Sequence, residues 1–209
     1  MDFTTEEEKL FSNTLVEKGN VDVLQRGQSV YREGDTPKGL YYVRSGLVGL
    51  IKVTSNGSES LLRIFKQGQF FGHRSLFSEE LYHASAQCLE PTEVVFVPKT
   101  TVFSLFKEKP EAYFYLARAL AKELRRAENR SVLVSEAQIL ERVASTLLLF
   151  KRMHPKHQWT RTEIANYCAS RTPTVIKVLG DLESSGAISQ NRREIQIVDE
   201  SKLLDFIQE

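Results

Sequence analysis

The sequence predicts an α+β chain in three parts: an N-terminal domain of short antiparallel strands, one long helix, and a C-terminal winged helix-turn-helix. Three observations predict it. Between Val21 and Val97, alternating apolar residues are interrupted by turn residues about every 8–12 positions, as in a sandwich or barrel. From Glu111 to His154 there is neither Gly nor Pro, so a helix can run unbroken. After Trp159, two short apolar stripes of helical period follow helix-start signals and lead into a basic hairpin.

The bulk numbers narrow the class. The chain has 209 residues, 41% of them hydrophobic, and no long polar tract, which suits one large or two small folded domains. Its formal charge of +1 is unevenly spread. From Arg142 to Arg193 there are nine Lys or Arg against three acids. A local basic excess of this kind suits a nucleic-acid surface, although a solvated charged face would look the same. Two cysteines, Cys88 and Cys168, are too few for a disulfide framework or a thiolate cluster and are expected to pack in cores. No apolar run is long enough for a signal peptide or a membrane span, so a cytoplasmic protein with no membrane partner is expected.

Element by element, Thr5-x-x-Glu8 is a capping box that opens a short helix. The segments "VDVLQRGQSVYREGD", "GLYYVRSGLVGLIKV" and "ESLLRIFKQGQFFG" then read as strands separated at Gly34-Asp35, Gly46 and Gly72. In the long helix, Leu116, Leu120, Leu124, Ala127, Ser131 and Val134 recur at steps of three and four. That stripe serves equally well as a seam between two copies or as a face packed on its own domain. "SVLVSEA", residues 131–137, is the candidate hinge. A second stripe, Leu140, Val143, Ala144, Leu147 and Leu148, predicts the first core helix of the next domain.

The C-terminal third carries the sharpest signal. Thr160-x-x-Glu163 is a second capping box, and Trp159 with Ile164 forms a hydrophobic staple across it. Ile164, Ala165 and Cys168 face inward. Ala169-Ser170-Arg171 makes the turn, Thr172 is the expected N-cap, and Pro173 fits the first helical position. In the second helix Val175, Val178, Leu179 and Leu182 form the buried stripe, opposite Thr174, Lys177 and Asp181. Strands at 187–189 and 194–198 around "QNRR" complete a winged helix-turn-helix, a fold that reads double-stranded DNA. The expected DNA contacts are Arg161, Thr162, Arg171, Thr172, Thr174 and Lys177, with Arg192 and Arg193 of the wing on backbone phosphates.

Gly34-Asp35, Pro37, Tyr41-Tyr42, Gly46-x-Val48 and Gly68-x-Phe70-Phe71-Gly72, followed by this C-terminal third, resemble the Crp/Fnr transcription regulators over essentially the whole chain. The resemblance implies a cyclic-nucleotide-binding-like β jelly roll over residues 1–109. It also implies a dimerisation helix and hinge over 110–136 and the DNA-binding domain over 137–209. It further implies a homodimer on a near-palindromic operator, RNA polymerase as partner if the protein activates, and no enzymatic activity. At the start of the recognition helix, Thr172-Pro173 stands where many relatives have Arg-Glu, and Lys177 replaces an Arg. Ala169 replaces the usual turn Gly.

The same resemblance marks an effector pocket: Gly72, His73, Arg74, Ser75, Tyr82, His83 and Ala84, with Ala127 and Glu128 of the long helix. Three ligand functions of cAMP-binding relatives are missing from it. His73 stands in the place of the ribose-binding acid, Tyr82-His83 in that of the phosphate-binding Arg-Ser, and Ala127-Glu128 in that of the adenine-reading Thr-Ser. No Arg or Lys occurs from Ser75 to Pro98. cAMP is therefore not expected as effector; a different effector in the same cavity, or control without a small ligand, is. The alternative is a genuine cyclic-nucleotide-responsive regulator using Arg74 or the long helix for the missing contacts. No haem, iron–sulfur or metal site is expected, and His154-x-x-His157 is read as surface.

Overall fold

The computed structural model describes residues 5–192 and 194–207, which fall into two compact units that divide after Ala127. The first holds α1 (Glu6–Glu17), eight strands, α2 (His73–Ser78), α3 (Lys99–Glu108) and the greater part of α4 (Glu111–Glu136). The strands are β1 (Asn20–Leu24), β2 (Ser29–Tyr31), β3 (Gly39–Ser45), β4 (Leu47–Val53), β5 (Glu59–Lys66), β6 (Phe70–Phe71), β7 (Ser85–Cys88) and β8 (Thr92–Pro98).

They form two four-stranded antiparallel sheets, ordered β1-β8-β3-β6 and β2-β7-β4-β5, a jelly-roll arrangement. The period of two decides which core each side chain enters. In β3, Leu40 faces the helices while Val43 faces the opposite sheet; in β6, Phe70 and Phe71 divide the same way, as do Val95 and Val94 in β8. One core thus lies between sheet and helices, with Phe11, Leu15, Phe106, Leu116 and Ala119, and the other between the sheets. The capping box predicted at Thr5 and Glu8 is formed. Gly46, at φ 85°, turns β3 into β4 where a side chain would collide with the Pro91 carbonyl and Thr92.

The stripe on α4 splits. Leu116 and Leu120 pack into the first unit's core, whereas Leu124, Ala127 and Ser131 are exposed. The predicted seam is therefore an intramolecular face at Leu116 and Leu120 and an open one from Leu124 to Ser131, with Val134 half-buried at its end.

The second unit contains α5 (Ile139–Met153), α6 (Arg161–Tyr167), α7 (Thr172–Ser184), the hairpin β9 (Ile188–Asn191) and β10 (Glu194–Ile197), and α8 (Glu200–Asp205). Every residue predicted to face inward on α6 and α7 is buried, as are Val143, Ala144, Leu147 and Leu148 of α5. Both cysteines are buried, Cys168 with its thiol 3.2 Å from the Thr146 hydroxyl. The helix α4 ends at Glu136 and α5 begins at Ile139, so the break falls at the end of the expected hinge and residues 131–136 remain helical. The histidines of "MHPKH", expected on the surface, are half-buried. Trp159 stacks on Phe150, and the His157 ring lies 4.4 Å from the Trp159 ring with its side chain 4% exposed, because the indole draws the loop inward.

Candidate nucleic-acid interface and sensor cavity

In the helix-turn-helix, the Thr160–Glu163 capping box is formed and satisfies the free N–H groups that begin α6. At the other end, Ser170 N–H bonds the Ala165 carbonyl, and Ala169 takes the left-handed conformation at φ 51°. The turn geometry usual for Gly is thus kept, with an alanine strained into it. The Tyr167 carbonyl accepts a 2.7 Å hydrogen bond from Arg130, whose guanidinium also lies over the Tyr167 ring. The next helix starts one residue earlier than expected: Arg171 is its N-cap, without a side-chain capping bond, and Thr172 and Pro173 begin the first turn.

On α7, Thr174 and Lys177 are exposed opposite the buried stripe, with Arg171 exposed at the start and Thr172 half-buried. Thr162 is exposed on α6. Arg161 is engaged elsewhere: it donates a 2.6 Å hydrogen bond to Gln190 and joins α6 to the wing. Arg192 is exposed at the tip of the β9–β10 hairpin at φ 52°. Arg193 lies outside the described residues.

The sensor cavity is lined by Tyr31, Leu50, Phe65, Gly72, His73, Arg74, Ser75, Tyr82 and His83, and its volume is about 20 Å³. That is room for about one water, whereas organic effectors occupy pockets of roughly 300–1,000 Å³. Aromatic side chains fill the rest. Tyr82, in the place of the phosphate-binding Arg, is buried, and burial pushes its phenol and that of Tyr31 well above the usual range, so both stay neutral. Gly72, at φ 82°, caps α2 and lets the chain turn into it. Arg74 and His83 are exposed, and Ala84 is buried in the core between the sheets.

Ala127 and Glu128 are exposed and do not line this cavity. What α4 does bring up, behind the cavity-lining His73, is Glu123. Its carboxylate lies 3.1 Å from Nε2 of His73 and 2.5 Å from Nη1 of Arg63 on β5. Burial works to raise the Glu123 carboxyl, but its bonds with His73 and Arg63 outweigh that and hold it well below the usual carboxylate range. Burial depresses His73 to about 4 despite that carboxylate. At neutral pH a neutral His73 therefore donates Nε2–H to an ionised Glu123, and Arg63 supplies the countercharge. Among the described residues, Nδ1 of His73 finds no hydrogen-bond partner. The signal for Glu123 was in the sequence: Leu116, Ala119, Leu120 and Glu123 share one helical stripe, and a carboxylate on an apolar stripe needs a buried partner.

Comparison with known proteins places both units. Residues 21–109 match the cyclic nucleotide-binding domain, and residues 141–206 the Crp-like helix-turn-helix domain. The cyclic AMP receptor protein of Thermus thermophilus is 31% identical over 184 residues, 87% of this chain and 85% of that one. The chain belongs to the Crp/Fnr family of transcription regulators. Another Crp/Fnr relative, the transcriptional activator protein Anr of Pseudomonas aeruginosa, is 27% identical over 86% of this chain and 77% of its own. Among solved structures, a CRP/FNR-family regulator from Thermus thermophilus superposes with a TM-score of 0.77 at 25% identity, covering 91% of this chain and 99% of that one. As a Crp/Fnr protein, the chain is a DNA-binding regulator with a cyclic-nucleotide-binding-like domain. Among the described residues, no helix is long and apolar enough to cross a membrane, and no group of three His, Cys, Asp or Glu is arranged to hold a metal ion.

Proposed function

We propose that this protein is a homodimeric regulator whose sensor is held by its own side chains rather than by cAMP. The carrying observation is the filled cavity: Tyr82 occupies the space and Glu123 engages His73 of α2, leaving about 20 Å³. The Thermus relative is named a cyclic AMP receptor, but two charged contacts are missing here. Their loss is worth roughly 3–6 kcal/mol, or about 10²–10⁴-fold in affinity.

In this reading residues 1–109 are the sensor, 110–136 the dimer helix and hinge, and 137–209 the DNA-binding domain. Two copies associate through the open part of α4, where Leu124, Ala127 and Ser131 are exposed. Thr162, Arg171, Thr172, Thr174 and Lys177, with the wing arginines, meet a near-palindromic operator, its half-sites about one helical turn (~34–36 Å) apart. The site of action is the cytoplasm, the partner is RNA polymerase where the protein activates, and no reaction is catalysed. A second reading, a cyclic-nucleotide-responsive regulator, is favoured by Arg74, which lines the cavity and is a cation within reach of it.

Calorimetric titration of the ligand-free protein with cAMP and cGMP, paired with gel shifts on a selected duplex, separates the two. High-micromolar or weaker binding, with DNA affinity unchanged, is expected. Low-micromolar binding that strengthens DNA affinity would select the second reading.

A further inference from the structure

Among the exposed side chains of α7, one does not match its surroundings. Val175, Val178, Leu179 and Leu182 are buried, and the opposite face carries Pro173, Thr174, Ile176, Lys177 and Asp181. Ile176 is 49% exposed and is the one large apolar side chain exposed on this helix. Helix stability does not call for it. A β-branched residue is a weaker helix former than the straight-chain polar residues common at exposed positions, and its exposed half gains nothing from burial.

Its setting on the helix is open. Pro173 lies three residues before it and Gly180 four after, so the three share one stripe. Where Gly180 would carry a β-carbon, no atom lies within 4 Å apart from its chain neighbours and the nearby backbone of the helix itself. Ile176 therefore projects between a proline ring and bare backbone. Helical side chains lean toward the N-terminus of their helix, which in a recognition helix is the end that meets base edges.

We propose that Ile176 is a specificity determinant that reads a thymine through its 5-methyl group in the major groove. The assignment rests on α7 being the recognition helix. Thymine is the one base that presents an apolar group in the major groove; the others present only donors and acceptors. An isoleucine side chain can satisfy neither, so against a cytosine amino group or a purine N7 it displaces water and returns no hydrogen bond. Against thymine it buries the methyl group together with its own exposed surface. Thr174 and Lys177, on the same face, supply the polar contacts that fix the helix in the groove.

The test uses the full-length protein and duplexes selected from a random pool. Each thymine of the selected half-site is replaced in turn by deoxyuridine, which pairs identically but lacks the methyl group. One thymine per half-site is expected to be sensitive, its replacement weakening wild-type binding about fourfold, the gain from one buried methyl group. Ile176→Ala should bind the thymine and uracil duplexes alike, and Ile176→Val should keep part of the difference. Both are surface changes that leave the α7 core intact. A deoxyuridine effect of equal size in Ile176→Ala, or no sensitive thymine in a wild type that still selects a defined site, would overturn the assignment. A wild type that selects no sequence at all would instead overturn the recognition role of α7, and this assignment with it.

Discussion

The rings of Tyr31 and Tyr82 lie face to face, with centroids 3.6 Å apart and planes 11° apart. Tyr31 ends β2, and Tyr82 lies on the segment between α2 and β7, so the stack closes the jelly roll over its own cavity. The Tyr82 hydroxyl is buried and, among the described residues, has no hydrogen-bond partner. An unsatisfied buried hydroxyl costs about 1–3 kcal/mol. Tyr82→Phe keeps the stack and removes that cost, so stability should hold or rise by about 1 kcal/mol in urea unfolding. Tyr82→Ala empties the ring's space and should cost about 3–5 kcal/mol. A drop of more than about 1 kcal/mol in Tyr82→Phe would mean that the hydroxyl is hydrogen-bonded in solution.

The burial of His73, which its contact with Glu123 only partly offsets, makes stability depend on pH. Folding depresses His73 from 6.5 to about 4. Between those values the unfolded chain carries a proton that the folded chain does not, so stability is full above pH 6.5 and falls as the pH drops toward 4. The loss is on the order of 3 kcal/mol at 1.36 kcal/mol per pH unit. His83, lowered by burial and by Arg74, acts in the same direction. His73→Gln, which retains a donor for Glu123, should flatten the curve over this window. Parallel wild-type and variant curves of unfolding free energy against pH would refute the assignment.

Ala169 is held at φ 51° in the turn between α6 and α7. An L-residue there costs roughly 1–2 kcal/mol relative to Gly, partly offset by the greater freedom of Gly in the unfolded chain. Ala169→Gly should therefore stabilise the protein by about 0.5–1 kcal/mol with DNA binding unchanged. Thermal unfolding and a gel shift on the same preparation check both halves, and a lower melting temperature would count against the strain.

Arg171 and Lys177 should act differently from Arg192. Alanine at either α7 position is expected to change which bases are preferred, at about 1–3 kcal/mol per direct contact. Arg192→Ala, at the hairpin tip, should weaken all sequences alike and lower the salt slope by about 0.9 for each phosphate that is no longer neutralised. Site selection at two salt concentrations distinguishes them. An unchanged sequence preference in Arg171→Ala would remove Arg171 from the base-reading set.

Much of the fold was legible because it is written in short-range repeats. The period of two that sends Phe70 and Phe71 to different cores, the stripes on α5 to α7, and both capping boxes each depend on residues a few positions apart. Local geometry fixes such patterns before any long-range contact forms. The stripe on α4 was legible only as a stripe. Periodicity shows that a face is apolar and not what covers it, so the burial of Leu116 and the exposure of Leu124 had to await the packing.

The sensor's chemistry belongs to the tertiary structure. Sequence alone determined what this part of the effector pocket lacks, since no Arg or Lys occurs from Ser75 to Pro98. It could not determine what replaces the missing groups, because Arg63, His73 and Glu123 come from β5, α2 and α4 and meet only when the helix packs against the jelly roll. The carboxylate is stable there because burial, which alone would neutralise it, is outweighed by a guanidinium and an imidazole N–H at hydrogen-bond distance. Tyr82 is a similar case. Its place in the chain was plain, but whether a phenol at that point turns to solvent or fills the cavity is decided by the ring of Tyr31, fifty-one residues away, on which it stacks.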